Sequence, residues 1–395
     1  MSNTLIAHSP DLQKLRNEGY KIEIKNTHLL VHEVPYVNSE RKILRGVLVS
    51  PLGDLAGNRT AKPQNHVMYF IGEHPCDNNG KVITGIQNPG GGTTLAEGVV
   101  VNHTFSNKPA QGYADYYEKV TTYEGIISSY AKAIDPNVKA QVFEVVTTED
   151  DPEIVFNYLD ANSARAEIQA ISEKLQNLKI AIIGLGGTGS YVLDFVAKTP
   201  VKEIHLYDED TFISHNAFRT PGAASIEILE TQKQKKKVAY LHEIYSKMHK
   251  YIIPHEYSLT SNTVGELIGM NFVFICIDDL PSKKSIIDKL VEASIPFADV
   301  GIGIDVIDGL LDGTARVTTG TMEKNDHLAK RISFNGSTED DYNKNIQIAE
   351  INALNAALAV IKWKKLFGFY YDLTKEHHST YGISTNKLIN DEAHP

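Results

Sequence analysis

Cysteine is almost missing from this chain. Its 395 residues include two, Cys76 and Cys276, far apart in sequence. Two such thiols cannot make a disulfide framework, which points to a reducing compartment. No CxxC pair occurs, so a four-cysteine zinc centre cannot be built within one chain, and no structural zinc is expected. Long apolar runs are missing too. None approaches the ~20 residues of a membrane-spanning helix. The opening MSNTLIAHSPDLQKL lacks the charged start and apolar core of a secretion signal. These absences predict a cytoplasmic protein with no membrane partner. Positive charge is in deficit: Lys and Arg total 39 against 49 for Asp and Glu, a formal net charge of −10. An acidic surface argues against nucleic acid as the main partner, and the basic run KQKKK at 233–237 does not reverse that.

What is present is an ordinary globular composition, 42% apolar and 22% charged, in a chain long enough for two cores. Residues 20–125 hold short β-type runs: KIEI, HLLVHEV, ILRGVLV, HVMYFIG and VVVNHTF. Turn-forming PLGDLAGN and QNPGGGTT separate them. The stretch YYEKVTTYEGIISSYAKAI, 116–134, has helical spacing; its tyrosines suit either a partner-facing surface or a helix covering a sheet. This predicts an α+β domain over 1–150. Residues 160–178 read as an amphipathic helix capped by Asp160 or Asn162. Strand-like and helical segments then alternate: KIAIIG, GSYVLDFVAKT, EIHLYDED, SIEILETQKQKKKVAYLHEIYSKM, NFVFICIDD, SKKSIIDKLVEAS and PFADVGIG. Such alternation means crossover units on a mostly parallel sheet with helices on both faces, a Rossmann-like α/β fold over 160–370. A long alanine-rich helix is expected at 345–366, and 371–395 reads as a strand with a tail.

The chemistry starts at GLGGTGS, 184–190. Gly184, Gly186, Gly187 and Gly189 follow a strand and open a helix, the context in which backbone approaches phosphate at a helix N-terminus. Asp208 ends the next strand, where a carboxylate can accept hydrogen bonds from a ribose. Up to this point a dinucleotide and ATP are served equally. The polar set that follows is Asp210, Asn216, Arg219, Lys237 and Asp278. In a doubly wound sheet the strand ends converge on one crevice. Cations around a phosphate cradle, with acids beside them, suit a triphosphate with a divalent metal.

These motifs resemble the ThiF/MoeB/HesA family, the bacterial relatives of ubiquitin-activating enzymes. The matching pieces are GLGGTGS at 184–190, LYDED at 206–210, NAFR at 216–219, KKV at 236–238 and CIDD at 276–279, in order over about half the chain. The resemblance implies an ATP- and magnesium-dependent adenylyltransferase acting on the C-terminal glycine of a ubiquitin-like protein. By the same resemblance, Gly184, Gly186, Gly187, Gly189 and Ser190 form the nucleotide cradle, joined by Asp210. Asp208 holds the ribose. Asn216, Arg219 and Lys237 contact phosphates, and Asp278 binds magnesium near the α-phosphate; Arg219, Lys237 and Asp278 form the catalytic set. A homodimer is implied, with Arg165 reaching the partner's site.

The chain departs from the family in the segment before the long helix, 322–344, which contains no cysteine. After adenylation the acyl group could stay as the adenylate, pass to Ser337 or Thr338, or pass to Cys76 in the N-terminal domain. Ser337 and Thr338 also read as a helix-capping STED. EHPCDNNGK reads as an exposed turn that leaves Cys76 accessible, and His66, His74 and His103, like Cys76, fall at or near strand ends. The extra N-terminal domain resembles, in arrangement, fusions found in bacterial operons with ubiquitin-like and conjugating-enzyme-like genes. The absence of a zinc centre and of the family's usual cysteine favours conjugation, in an antiviral defence setting, over sulfur transfer. Two other classes stand beside this one. An NAD-dependent oxidoreductase would explain Gly184 to Asp208 and leave Arg219, Lys237 and Asp278 idle. A non-catalytic scaffold for ubiquitin-like proteins would be expected to have lost one of those three.

Overall fold

The computed structural model describes residues 5–393 except 7, 54–58, 91, 146–153, 161, 164, 165, 167, 231, 232 and 335–345. The chain forms two units: Met1–Val146 with Asp160–Glu167, and Thr147–Leu159 with Ile168–Pro395.

In the first unit a short helix α1 (Pro10–Asn17) precedes β1 (Ile22–Lys25), β2 (His28–Val37), β3 (Ile43–Pro51), β4 (Val67–Ile71), β5 (Thr93–Ala96), β6 (Val99–Val101) and β7 (His103–Ser106). The main sheet is antiparallel in the order β1-β2-β3-β4-β7, and β5 and β6 pair separately. VVVNHTF, read as one strand, is therefore divided between two sheets. The break is Asn102, whose Oδ1 accepts from the Gly72 amide at 2.9 Å. Helix α2 (Tyr116–Ile134) starts where Asp115 accepts from the Glu118 amide. Tyr116, Val120, Tyr123 and Ile127 recur at helical spacing and pack into one core with Leu29, Leu48 and Phe70. The tyrosine-rich stretch covers the sheet.

The second unit contains β8 (Lys179–Ile183), α3 (Gly187–Val196), β9 (Glu203–Tyr207), α4 (Ser214–Ala217), α5 (Lys237–Tyr245), β10 (Ile252–His255), β11 (Phe272–Ile275), α6 (Leu280–Glu292), β12 (Phe297–Ile307), β13 (Leu310–Gly320), α7 (Ala349–Leu366), β14 (His378–Gly382) and β15 (Lys387–Asp391). Its sheet runs β10-β9-β8-β11-β12-β13-β14-β15. The first five strands are parallel and the rest pair antiparallel. Ile180 and Ile182 of β8 face one core with Val192, Leu193 and Trp363, while Ala181 and Ile183 face another with Ile286 and Leu290. Burial on both faces is why these strands read as continuous apolar runs.

Four readings change. Among the described residues, 160–178 is not one helix: Ile168 departs from helical geometry (φ −109°, ψ 17°), and only single turns follow at Gln169–Ser172 and Glu173–Leu175. The helix expected over 225–248 is broken, because Thr211 and Lys236 form a β-bridge and the Lys237 amide bonds Asp210 O at 2.8 Å. Helix α5 therefore begins at Lys237. PFADVGIG is the first part of an 11-residue strand that turns at Asp308–Gly309, both at positive φ, into β13. The C-terminal strand is a hairpin, β14–β15, on the edge of the sheet.

Candidate nucleotide-binding site

After β8 the chain builds outward through β9 to β10, then returns to place β11 on the other side of β8. Such a reversal opens a crevice beyond the carboxyl ends of the strands. A cleft of about 840 Å³ lies there, and the loops after β8, β9, β10 and β11 line it together with Val300–Ile302 of β12.

The glycines divide by function. Gly184 has φ +86°, and a Cβ there would sit 2.6 Å from Cys276 O. A Cβ on Gly187 would meet the Asn352 side chain of α7 at 2.2 Å, and one on Gly189 would meet Gly184 O at 1.9 Å. Packing alone requires these three. Gly186 differs: its Cβ would meet nothing within 4 Å, and the residue lines the cleft just before α3. Its open backbone leaves room for a ligand at the amides of a helix N-terminus. Ser190 is a correction. It is fully buried, its hydroxyl donates to Gly187 O at 2.8 Å, and it does not line the cleft. Placed in the second turn of α3, it serves the helix.

The acids and cations come from the loops after β9 and β11. Asp208 is buried and accepts from the amides of Leu185 at 2.6 Å and Asp210 at 2.8 Å. Burial holds its carboxyl above the usual carboxylate range, against the pull of Lys237. Lys237 is buried with Nζ 2.6 Å from Asp210 Oδ2 and 3.7 Å from Asp208 Oδ1. Asn216 Oδ1 accepts from the Ile213 amide, while its Nδ2 and Arg219 Nε are buried without a hydrogen-bond partner. Arg219 lines the cleft, whereas Asn216 is buried and does not line it. His215, also on the cleft, is pushed below the ordinary imidazole value by burial and then by Arg219 and Lys237. Asp279 caps α6 by accepting from the Ser282 amide at 2.9 Å, and the neighbouring Asp278 is exposed on the cleft.

Sequence reasoning missed the segment Tyr257–Thr260, which lines the cleft after β10. Its strand, IIPH, is four residues long and contains a proline, so no periodic signal marked it. Cys276 lies just past β11 on the cleft, and burial raises its thiol far above the ordinary value. Cys76 requires a correction: it is 1% exposed, not accessible. The EHPC turn folds back on itself through bridges from Cys76 to Val37 and Val82, and Sγ donates to His74 O at 3.3 Å. Burial also raises this thiol, opposing the thiolate an acyl acceptor needs. Arg165, Ser337 and Thr338 lie outside the described residues. Among the described residues, no group of three or more His, Cys, Asp or Glu is placed to hold a metal, although the His74 and His103 rings lie 4.5 Å apart.

A family model described as the ThiF family matches residues 159–361, just over half of the chain, and one described as a domain of unknown function (DUF6791) matches 10–161. No curated protein matches. Among solved structures, E. coli MccB with MccA-N7isoASN is 18% identical with a TM-score of 0.46, the match covering 56% of this chain and 66% of that one. E. coli MccB with ATP is 19% identical with a TM-score of 0.43 over the same shares. The E. coli tRNA N6-threonylcarbamoyladenosine dehydratase TcdA is 17% identical with a TM-score of 0.40, covering 52% of this chain and 92% of that one. The chain thus spans just under two thirds of the MccB structures.

Proposed function

The chain belongs to the ThiF family; from that premise we propose that its second unit is an adenylyltransferase-type nucleotide-binding domain, and that it adenylates the C-terminal glycine carboxylate of a ubiquitin-like protein with ATP and magnesium. The activated protein then passes to a conjugating-enzyme-like partner. One observation carries the reading: donors without acceptors surround an open backbone. Asn216 Nδ2 and Arg219 Nε are buried and unpaired, Lys237 pairs with the acids Asp210 and Asp208, and Gly186 leaves the helix N-terminus clear. An unmet buried donor costs about 1–3 kcal/mol. A polyanion in the cleft would give Arg219 and Lys237 the acceptors they face there, with Asn216 reached only if its side chain turns toward the cleft.

Each residue then has a task. Asp208 holds the ribose through lone pairs that Leu185 and Asp210 leave open. Lys237 exchanges Asp210, whose side chain is 63% exposed and readily released, for a phosphate. Magnesium commonly takes one carboxylate plus phosphate oxygens and water, so Asp278 on the cleft suffices without a protein-only cluster. When bound, the ion supplies charge neutralisation. A carboxylate oxygen of the substrate forms a bond to the α-phosphorus. The bond from that phosphorus to the bridging oxygen breaks, and pyrophosphate leaves with the electron pair. No base is needed, because the attacking carboxylate is already ionised at neutral pH. The chain's part is positioning and positive charge. We also propose a homodimer with Arg165 reaching across, and Ser337 or Thr338 as acceptors if the acyl group moves within the chain.

The test is ATP–pyrophosphate exchange with and without a ubiquitin-like protein that ends in a free glycine carboxylate. Exchange should require both that protein and Asp278. No exchange, with thermal stabilisation by NAD and not by ATP, would return the glycines to a dinucleotide.

A further inference from the structure

Period two places Glu203, His205 and Tyr207 on one face of β9, and His255 and Tyr257 keep the same alternation on and just past β10. The two strands are parallel neighbours, with His205 opposite Ile253 and Tyr207 opposite His255. Titratable side chains therefore meet in one line. Glu203 Oε2 lies 3.2 Å from His205 Nε2, and His205 Nδ1 lies 3.1 Å from His255 Nε2. His255 Nδ1 lies 3.2 Å from the Tyr257 hydroxyl, which donates to Glu266 Oε2 at 2.7 Å. Glu266 belongs to the single turn Val264–Leu267. The line borders the nucleotide cleft: Tyr257 and Tyr207 both line it, and the His255 ring stacks on Tyr207 at 4.2 Å.

Both ends of the line are carboxylates, which accept and do not donate when ionised. Two neutral imidazoles and a phenol bring one proton each, three protons for four links. We propose that a fourth proton, shared by His205 and His255, completes the line, and that His205 is thereby a positioning residue for the cleft wall at Tyr257. The proposal rests on the cleft's holding a nucleotide and names what regulates that site. The extra proton sits on His205, the ring with a carboxylate against it. Burial raises the Glu203 carboxyl, but hydrogen bonds from Lys179 of β8, 2.9 Å away, and from His205 outweigh it and hold the group below the usual carboxylate range. Burial and then His205 push His255 below the ordinary imidazole value, against Glu266, so the pair takes one extra proton and not two. The hydrogen bond to Glu266 pushes the Tyr257 phenol up to about 12, so it keeps its own proton.

Losing the fourth proton leaves one link without a hydrogen. The gap settles where water can fill it. The Glu203 and His205 side chains are mostly buried, whereas Tyr257 and Glu266 are exposed. The hydrogens then turn round: His205 donates to Glu203, His255 to His205 and Tyr257 to His255. Glu266 is released, and Tyr257 loses its tie to the turn at Val264–Leu267. Rising pH thus slackens one wall of the cleft, and the complete line is the form that binds nucleotide more tightly.

The test is ATP affinity by calorimetry on the full-length chain from about pH 5.5 to 9, wild type against His205→Gln. The phosphates of ATP and His215 titrate in both proteins, so the ratio of the two affinities isolates the line. That ratio should fall about threefold or more as pH rises, the loss of one hydrogen bond at the cleft wall. Tyr257→Phe has no phenol to be held and should match the His205→Gln profile; at its exposed position it replaces that variant if His205→Gln melts early. At a pH below the midpoint of the wild-type profile, nitrogen-15 NMR of the imidazoles should show a doubly protonated ring that His205→Gln removes. Parallel profiles in wild type and Tyr257→Phe, or no such ring, overturn the proposal. A doubly protonated ring with no ATP binding at any pH would leave the line standing and refute the nucleotide reading; ATP binding with parallel profiles would do the reverse.

Discussion

Replacing Lys237 by alanine should damage catalysis and stability through different neighbours, and pH separates the two. For catalysis, removing one preorganised donor to developing phosphate charge costs roughly 3–4 kcal/mol, or 10²–10³ in rate. For stability, two carboxylates matter unequally. Asp210 is 63% exposed, so its 2.6 Å contact contributes about 0–1 kcal/mol. Asp208 is 8% exposed and stays buried without its cation. Stranding one partner of a buried pair costs about 3–5 kcal/mol. Two backbone amides still bond Asp208, so the lower end, ~3 kcal/mol, is expected, or roughly 6–12 °C in Tm for a unit of this size. The sign with pH follows from Asp208, whose folded pKa lies above its unfolded value. Ionising such a group opposes folding. The cost is absent below the unfolded carboxylate pKa of ~4 and complete above the folded one. Losing Lys237 raises the folded value further. The variant's deficit should therefore be smallest near pH 4–5 and grow toward neutrality. Melting curves across that range and exchange at neutral pH are the assays. Exchange within tenfold of wild type, or a deficit independent of pH, would refute this reasoning.

Three other outcomes are expected. Asp278→Ala should cut magnesium-dependent exchange at least about 100-fold while the apo Tm moves by no more than 1–2 °C, as befits an exposed side chain; retained turnover would move the metal elsewhere. Gly186→Ala should keep most of its stability and lose about tenfold or more in ATP affinity, whereas Gly189→Ala, forced 1.9 Å from Gly184 O, should fail to fold stably; equal effects by calorimetry would undo the division between cradle and packing glycines. Cys76 should resist alkylation by a bulky maleimide until denaturant is added, and labelling at the native rate of a free thiol would show its burial to be wrong.

The parallel half of the sheet was legible because residues buried on both faces leave apolar runs, and GLGGTGS stands between one such run and a helix. Asp208, Asp210, Lys237 and Asp278 each fall just after a strand or at a helix start, and a doubly wound sheet brings those points to one cleft; Arg219, two residues past α4, also lines it but had only its motif to mark it. Ser190 misled because motif spacing does not say which way a helical side chain turns. Cys76 misled because turn-forming neighbours usually mean exposure, whereas here bridges to Val37 and Val82 enclose it. Strand β10 was too short to carry a period. Strand β13 follows Asp308–Gly309, a two-residue hairpin turn signal in the sequence.

The sheet also has an order of assembly written into its connections. β12 and β13 meet across two residues, a hairpin of the kind that closes in about 1–10 μs, and β14–β15 is nearly as local, across 383–386. The parallel strands must wait for whole crossover helices to fold back. The buried cluster around Asp299 spans that divide. Arg316, 2.7 Å away, arrives with the hairpin, and Lys283, 3.0 Å away, arrives only when α6 docks. If the hairpin forms first, Asp299 meets Arg316 before Lys283, and changes at Gly309 should then slow folding while changes at Leu290 mainly hasten unfolding, which chevron kinetics would show.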